Sequence, residues 1–244
     1  MMEWNKVIYD DCLNKVNGLY HLKDLITENK IDKFDLCLTD PLFNVGKQEI
    51  GWKYSHHTLR DKKIDYNDKM NEQEYTDFSY EWFDLAKEIC NIIIFTCGYR
   101  NRQMWLKKEN FDFLYWKNMY RRGSTRICYF KKTDIILVYG KLKKEQMFNL
   151  DTLDYDFGWN NVFDYKKLIH PHPKPRKLYE WIIEHIKPKT VLDPFVGSGT
   201  VAEVCKMKGI KYYCYEKNKI YKKDIEKRLN NINYNRSGIF RWFK

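Results

Sequence analysis

The stretch at residues 191–200, VLDPFVGSGT, constrains the fold of this chain more than any other. A short apolar run ends in the acid Asp193, and a turn containing Gly197 and Gly199 follows it. A helical pattern then begins at Thr200. A strand, a tight glycine loop and a helix in this order are how an α/β sheet presents backbone N–H groups to an adenosyl-type ligand. Glycine suits such a loop because a Cβ would block the approach of the ligand.

A second acid follows the next predicted strand. Residues 210–215 form an apolar and aromatic run that ends at Glu216. A carboxylate about 20 residues after the first strand is where ribose hydroxyls are bound in folds of this kind. The loop does not read GxGxxG, so a dinucleotide site is not favoured. A plain strand-to-helix turn would show the same glycines, and the loop alone leaves that interpretation open.

Composition limits the classes of protein to consider. The 244 residues are enough for one buried core, and we expect a single domain over residues 1–244. A hydrophobic content of 43% and an aromatic content of 17% argue against disorder. The apolar runs are too short for a membrane span, and the first residues lack a signal-peptide pattern, so we expect an intracellular protein that is not secreted.

The net charge indicates the kind of partner, and the cysteine content argues against a disulfide framework. The formal charge of +11 favours a polyanionic partner, with nucleic acid first. The seven cysteines include no CxxC pair, so we expect neither a disulfide framework nor a metal site. Adjacent histidines at 56 and 57 have no spaced ligands nearby, and a metal is not predicted there either.

A second strand also ends in an acid. Residues 34–39, FDLCLT, form an apolar run typical of a buried parallel strand, and Asp40-Pro41-Leu42-Phe43 follows it. Groups at the carboxyl end of such a strand face the crevice where α/β sheets bind ligands. A strand-ending turn without chemistry is the plain alternative.

Both stretches resemble motifs of one family. DPFVGSGT resembles the S-adenosylmethionine loop of amino-methylating DNA methyltransferases, and FDLCLTDPLFNVGK resembles their catalytic motif, (Asp/Asn/Ser)-Pro-Pro-aromatic. The resemblance implies that Asp40 and the carbonyl of Pro41 accept the hydrogens of an exocyclic amine, and that Phe43 stacks on a flipped-out base. Leu42 departs from the pattern, because the family usually has a second proline there. A softer turn with reduced or lost activity is therefore one expectation.

The order of the motifs, catalytic before cofactor, resembles the β class of these enzymes over residues 6–230. This class implies a Rossmann-like α/β fold, a mostly parallel seven-stranded sheet with an inserted target-recognition region, and S-adenosylmethionine as cofactor. Within it, Glu216 would bind the ribose, Asp11 the adenine amine, and Lys174, in a segment resembling motif X, the cofactor's carboxylate. The complete set of expected cofactor residues is Asp11, Lys174, Asp193, Phe195, Gly197, Gly199, Thr200 and Glu216.

Two insertions are expected around the sheet. Residues 44–70 form a long polar stretch that we predict to be a lid over base and cofactor. Residues 117–165 form the predicted target-recognition insertion, and its first part, 117–132, interleaves aromatic residues with basic ones and has no acid. A solvated basic hairpin is the alternative. The expected nucleic-acid contacts are Lys117, Arg121, Arg122, Arg126, Lys131 and Lys132.

Three local patterns give further predictions. Asn71 and Glu74 form a capping-box pattern for a helix that reaches residue 90, with Phe78 and Trp82 on its core face. Residues 91–96 are predicted as the next buried strand. The basic segment 217–228 is interpreted as a solvated helix face.

These features together predict a site-specific DNA methyltransferase of restriction-modification type. It would act by base flipping on the N6 amine of adenine in double-stranded DNA. Asp rather than Ser at position 40 weakly favours adenine as the target base, and the N4 amine of cytosine stays an alternative. A non-catalytic nucleic-acid-binding subunit is a rival hypothesis from another class, and an RNA substrate is a third. A homodimer or a partner subunit would each fit the short recognition region.

Overall fold

The strands of the described residues form one large sheet and one small one. The computed structural model describes residues 2–44, 69–117, 123–124, 130–131, 133–149, 151–153, 168–170 and 173–230. Across the large sheet the order is β1 (Lys6–Ile8), β10 (Lys211–Tyr215), β9 (Thr190–Asp193), β2 (Phe34–Thr39), β3 (Cys90–Cys97), β7 (Thr133–Tyr139), β4 (Asp112–Lys117) and β8 (Thr152–Leu153). The small sheet pairs β5 (Gly123–Ser124) with β6 (Phe130–Lys131).

The five strands from β1 to β3 run parallel, whereas β7 is antiparallel to both β3 and β4. The prediction of an α/β, mostly parallel, Rossmann-like sheet is therefore confirmed. Within the described residues the sheet has eight strands rather than seven, because the two-residue strand β8 adds parallel to the outer edge of β4. From β9 the chain continues to β10 on one side, and from β2 it continues to β3 on the other. The boundary between β9 and β2 is thus a topological switch point, where α/β sheets bind ligands.

Helices connect the strands near the positions that the sequence predicts. They are α1 (Leu19–Thr27), α2 (Glu72–Ile89), α3 (Arg102–Lys108), α4 (Arg176–Ile186), α5 (Thr200–Met207) and α6 (Lys222–Asn230). The capping box at the start of α2 is confirmed. The Asn71 side chain accepts from the N–H of Glu74 at 2.8 Å, and Glu74 accepts from the N–H of Asn71 at 3.2 Å.

Alternate residues of the central strands pack on opposite faces of the sheet. On β3, Ile92 and Ile94 belong to the core that contains Ile182 of α4, whereas Ile93 and Phe95 belong to the core that contains Trp82 of α2. Burial on both faces explains why the strands read as continuous apolar runs. The helices on either face hold the strand ends, and with them the site, in fixed positions.

Several predicted features lie outside the described residues. Most of the lid, residues 45–68 with both of its histidines, is one of them, and most of the recognition insertion is another. Among the predicted nucleic-acid residues, Arg121, Arg122, Arg126 and Lys132 also lie outside. Lys131 falls in β6, and Lys117 ends β4. No helix among the described residues is long and apolar enough to cross a membrane.

Candidate active site

The acidic residues singled out in the sequence lie at one edge of the sheet. Asp193 is the last residue of β9, Asp40 follows β2, and Glu216 follows β10. Asp11 comes three residues after the end of β1. Because these four strands are parallel, their carboxyl ends meet at the same edge. The structure therefore brings the predicted catalytic acid and the predicted cofactor acids to one crevice.

A buried hydrogen bond crosses the switch point. The Thr39 hydroxyl of β2 donates to Asp193 Oδ1 of β9 at 2.5 Å, and the backbone N–H of Phe195 donates to the same oxygen at 3.0 Å. Burial of Asp193 raises the pKa of its carboxyl to about 7, against the opposing effect of these two bonds. Asp193 thus ties the two halves of the site together.

Asp40 has two side-chain partners that the sequence does not suggest. Its Oδ1 accepts a hydrogen bond from the Thr96 hydroxyl, at the end of β3, and its Oδ2 accepts from the ammonium of Lys174. The Lys174 nitrogen also lies 5.1 Å from the centroid of the Phe43 ring. Lys174, expected at the cofactor's carboxylate, is therefore found at the predicted catalytic acid and at the predicted stacking ring.

The glycine loop, residues 197–199, has the backbone geometry that its sequence predicts. Gly197 has φ of +53° and Gly199 has φ of +86°, a region that residues with a Cβ rarely adopt. A Cβ on Gly197 would lie 2.8 Å from Nε2 of His170, and one on Gly199 would lie 3.2 Å from the Cα of Ile225. Thr200 then begins α5, and its hydroxyl donates to the carbonyl of Lys174 at 3.3 Å.

Glu216 connects the glycine loop to β10. One carboxylate oxygen accepts from the N–H of Gly197 at 2.9 Å and the other from the N–H of Asn218 at 2.7 Å. Burial raises the pKa of Glu216 to about 7, and the two backbone bonds oppose that rise. Since each carboxylate oxygen has two lone pairs, Glu216 retains acceptor sites for further donors.

Asp11 lies at the far end of the crevice. Its Oδ1 accepts from the N–H of Leu13 at 2.9 Å, and its Oδ2 pairs with the Lys217 ammonium at 2.8 Å.

Phe195, another expected cofactor residue, packs on its neighbours in the core. Its ring lies edge-on to Phe78 and Trp82, with centroid distances of 5.8 and 5.4 Å.

The interpretation of segment 217–228 as a solvated face is wrong for three residues of α6. Asp224, Ile225 and Arg228 are buried. Asp224 accepts from the N–H groups of Ile169 and His170, both at 2.7 Å, and so holds the segment that packs on Gly197. Helix α6 is therefore part of the support of the glycine loop.

A buried ion pair completes that support. Arg228 donates to Glu203 of α5 at 2.5 Å, and a second guanidinium nitrogen lies 3.5 Å from the Ser198 hydroxyl of the glycine loop. Asp224, Ile225 and Arg228 share one helix face, and Glu203 interrupts the apolar run of α5. Both patterns are visible in the sequence and could have indicated this contact.

The sequence of the chain matches a known family over most of its length. The family model described as DNA methylase, for N6 and N4 methylation, matches residues 34–227. The type II methyltransferase M.HpaI of Haemophilus parainfluenzae is 30% identical over 227 residues, with coverage of 80% of this chain and 65% of that protein. The chain thus spans less than two thirds of M.HpaI. The type II methyltransferase M2.LlaDCHI of Lactococcus lactis subsp. cremoris is 26% identical over 234 residues, covering 84% and 86%.

Solved structures share the fold. The M1.HpyAVI complex with S-adenosylmethionine has a TM-score of 0.55 and 23% identity, and the match covers 92% of this chain and 99% of that one. The PvuII cytosine-N4-specific DNA methyltransferase also has a TM-score of 0.55, with 16% identity over 83% and 82% of the two chains.

Proposed function

The chain belongs to the N6/N4 DNA methylase family, and from that premise we propose that it transfers a methyl group to the N6 amine of adenine in double-stranded DNA. The observation that carries the proposal is the position of Asp40. It lies beside the switch point, directly after the strand β2, which is hydrogen-bonded through Thr39 to Asp193 at the end of β9. A predicted amine acceptor and a predicted cofactor cradle therefore share one crevice.

The cradle fits S-adenosylmethionine, the cofactor that the family uses. The two positive-φ glycines let the loop pack closely on His170 and Ile225, where a Cβ would intrude, and Glu216 keeps lone pairs for two ribose hydroxyls. Asp11, at the end of the same crevice, is the acceptor for the adenine amine in this proposal. When bound, the cofactor supplies an electrophilic methyl group, and the M1.HpyAVI complex shows that a protein of this fold binds it.

The protein's task is to orient a poor nucleophile. An exocyclic amine is conjugated to its ring, so its lone pair becomes available only if its hydrogens are held away from the reacting side. Asp40 and the carbonyl of Pro41 are the acceptors in this proposal, and Phe43 is the face on which the flipped-out base stacks. A carboxylate offers about four lone-pair sites, and Thr96 and Lys174 use one on each oxygen, so Asp40 can accept the amine as well.

The choice of adenine rests on the carboxylate at position 40, and cytosine N4 is the alternative. The test is transfer of tritiated methyl from S-adenosylmethionine to unmethylated duplex DNA, followed by digestion to nucleosides. We expect label in N6-methyladenine. Label in N4-methylcytosine would support a DNA amino-methyltransferase but reject adenine as the target base. Label only with an RNA duplex would reject DNA as the substrate.

A non-catalytic DNA-binding subunit is the second candidate, because Leu42 softens the turn that carries Asp40. That candidate predicts no label despite binding of both S-adenosylmethionine and DNA, whether as a homodimer or beside a catalytic partner. Adding the variant Leu42→Pro to the same assay separates the two hypotheses. If the wild type transfers no methyl group and the variant does, Leu42 is the cause of the missing activity.

A further inference from the structure

Two side chains from distant elements bind the backbone of the turn that follows β2. The hydroxyl of Tyr75, on α2, donates to the carbonyl of Leu42 at 2.7 Å. The side-chain amide of Asn101, in the 3₁₀ turn before α3, donates to the carbonyl of Phe43 at 2.8 Å. These two carbonyls are consecutive, and they follow Asp40 and Pro41 directly. The turn is therefore held from outside at the two residues next to the predicted amine acceptors.

The two side chains also bind one another. Asn101 Nδ2 lies 2.8 Å from the Tyr75 hydroxyl, to which it donates, while Tyr75 is buried with 4% exposure. A buried hydroxyl without hydrogen-bond partners would be costly, and here it has both an acceptor and a donor. This closed arrangement of Tyr75, Asn101 and two turn carbonyls is called the turn brace below.

Neighbouring contacts limit the turn further. Asn44 accepts from the N–H of Met70 at 2.7 Å and donates to its carbonyl at 3.1 Å, which ties the end of the turn to the start of α2. On the other side, a Cβ on Gly98 would lie 3.3 Å from Cγ of Phe43. Glycine at position 98 therefore leaves the space that the Phe43 ring occupies.

We propose that Tyr75 and Asn101 are positioning residues. They hold Asp40, the Pro41 carbonyl and Phe43 in the positions that methyl transfer needs. Leu42 has a free φ where a proline would fix it, so the turn has to be ordered by other means. The turn brace supplies this order, because its hydrogen bonds fix the carbonyls of Leu42 and Phe43. This inference rests on the proposed function, since it names what positions the same site.

The main test is Tyr75→Phe, which removes one oxygen atom and keeps the buried ring. Losing a buried hydrogen bond of about 1.4 kcal/mol corresponds to about a tenfold change. We expect kcat to fall about tenfold and the KM for S-adenosylmethionine to stay the same, because the cofactor loop is not touched. Asn101→Ala should lower kcat in the same direction.

Tyr80→Phe is the matched control. Tyr80 lies on the same helix, and its hydroxyl donates to the carbonyl of Met104 at 2.8 Å, away from the turn. The chemical change is identical, so a loss of kcat that follows only from helix destabilisation would appear in both variants. Equal losses would overturn the proposal, and an unchanged kcat in Tyr80→Phe supports it.

Rescue by proline separates positioning from a general structural role. In a Leu42→Pro background the ring of proline fixes φ at position 42, so Tyr75→Phe should then lower kcat less than about threefold. A full tenfold loss in that background would contradict the proposal.

A measurement without turnover keeps this inference distinct from the proposed function. NMR order parameters of the Phe43 and Asn44 amides report the rigidity of the turn directly. We expect them to fall in Tyr75→Phe and to match the wild type in Tyr80→Phe. If the wild type transfers no methyl group, the proposed function fails, yet lower order parameters still support the turn brace and unchanged ones overturn it.

Discussion

The glycine loop after β9 and the Asp40–Phe43 turn after β2 lie at the same edge of the sheet but take their shapes from different sources. The glycine loop takes its backbone course mainly from residues within it, since Gly197 and Gly199 both have positive φ, and Glu216 adds one hydrogen bond from outside. The turn has one internal restraint, Pro41. Its other restraints come from outside the turn, and they include Tyr75 and Asn101, which are 33 and 58 residues away from the carbonyls they bind.

This difference separates two functions within one crevice. The glycine loop forms the predicted cofactor cradle, and the elements supporting it are α5, α6 and Glu216. The turn carries the predicted amine acceptors, and the elements supporting it are α2, β3 and the start of α3. Damage to the loop should therefore weaken cofactor binding, whereas damage to the turn should slow the chemical step with the cofactor still bound.

The largest expected effect comes from the turn. Asp40→Ala removes the predicted amine acceptor, and loss of one such electrostatic contact costs on the order of 10³-fold in kcat. Cofactor affinity should not fall, because the side chain of Asp40 does not bond to the glycine loop, and its removal leaves the Lys174 ammonium available to the cofactor's carboxylate. Single-turnover methyl transfer and equilibrium binding of S-adenosylmethionine measure the two effects. A parallel loss of both would show that the loop and the turn are not separable.

The support beneath the loop gives the next largest effect. Arg228→Met leaves Glu203 charged and buried, and breaking such a pair costs about 3 kcal/mol or more. We expect the low end of that range, because Arg176 remains 3.8 Å from Glu203. Urea unfolding measures the loss.

The double variant Glu203→Gln/Arg228→Met is the control for that prediction. It removes both charges, so it should recover more than half of the lost stability. A single variant that loses less than about 1 kcal/mol would show that the ion pair does not support the loop.

A smaller effect tests the backbone of the loop itself. Gly197→Ala forces a residue with a Cβ into φ of +53°, at about 1–2 kcal/mol, and places that Cβ 2.8 Å from His170. We expect cofactor affinity to fall about tenfold, as a shift of about 1.4 kcal/mol in binding would give.

Gly209→Ala is the matched control for Gly197→Ala. Gly209 has φ of +68° at the end of α5, and among the described residues only its two chain neighbours can lie within 4 Å of its added Cβ. The backbone strain is similar but the contact with His170 is missing, so this variant should lose the stability that the strained backbone costs and keep its cofactor affinity. Equal losses of affinity would mean that strain, rather than the geometry of the cradle, weakens binding.

The same contrast explains what the sequence can predict. It indicates Asp193, Gly197 and Glu216 because a strand, a glycine loop and a second strand lie within one short stretch, and local conformation follows from local residue types. It indicates Asp40 because an apolar run ends in Asp-Pro. Tyr75, Thr96 and Asn101 carry no such signal, since each acts through a contact between residues far apart in the chain. Lys174 is predicted as a site residue, but its position beside Asp40 depends on how two distant segments pack.

The weakest expected effect concerns the charge of Glu216. Because burial raises its pKa to about 7, Glu216 is largely protonated below that pH and largely ionised above it. The ionised form is the better acceptor for two ribose hydroxyls, so affinity for S-adenosylmethionine should rise with pH. For a pKa of about 7, the ionised fraction increases about fourfold between about pH 6.5 and pH 8, and affinity should follow it.

Glu216→Gln isolates this titration from others in the same range. The cofactor carries an α-amino group, a type of group whose pKa is about 7.7–8.0 in model peptides, and Asp193 has a raised pKa of about 7 as well. Both titrations remain in the variant, although the Glu216 charge contributes to the raised pKa of Asp193 and its removal lowers that pKa. The difference between the two pH profiles therefore belongs to Glu216 and to its effect on Asp193. A wild-type profile as flat as that of Glu216→Gln would mean that the carboxylate serves the backbone of Gly197 and Asn218 alone. Glu216 would then be only a positioning residue for the glycine loop, as Tyr75 and Asn101 are for the Asp40–Phe43 turn.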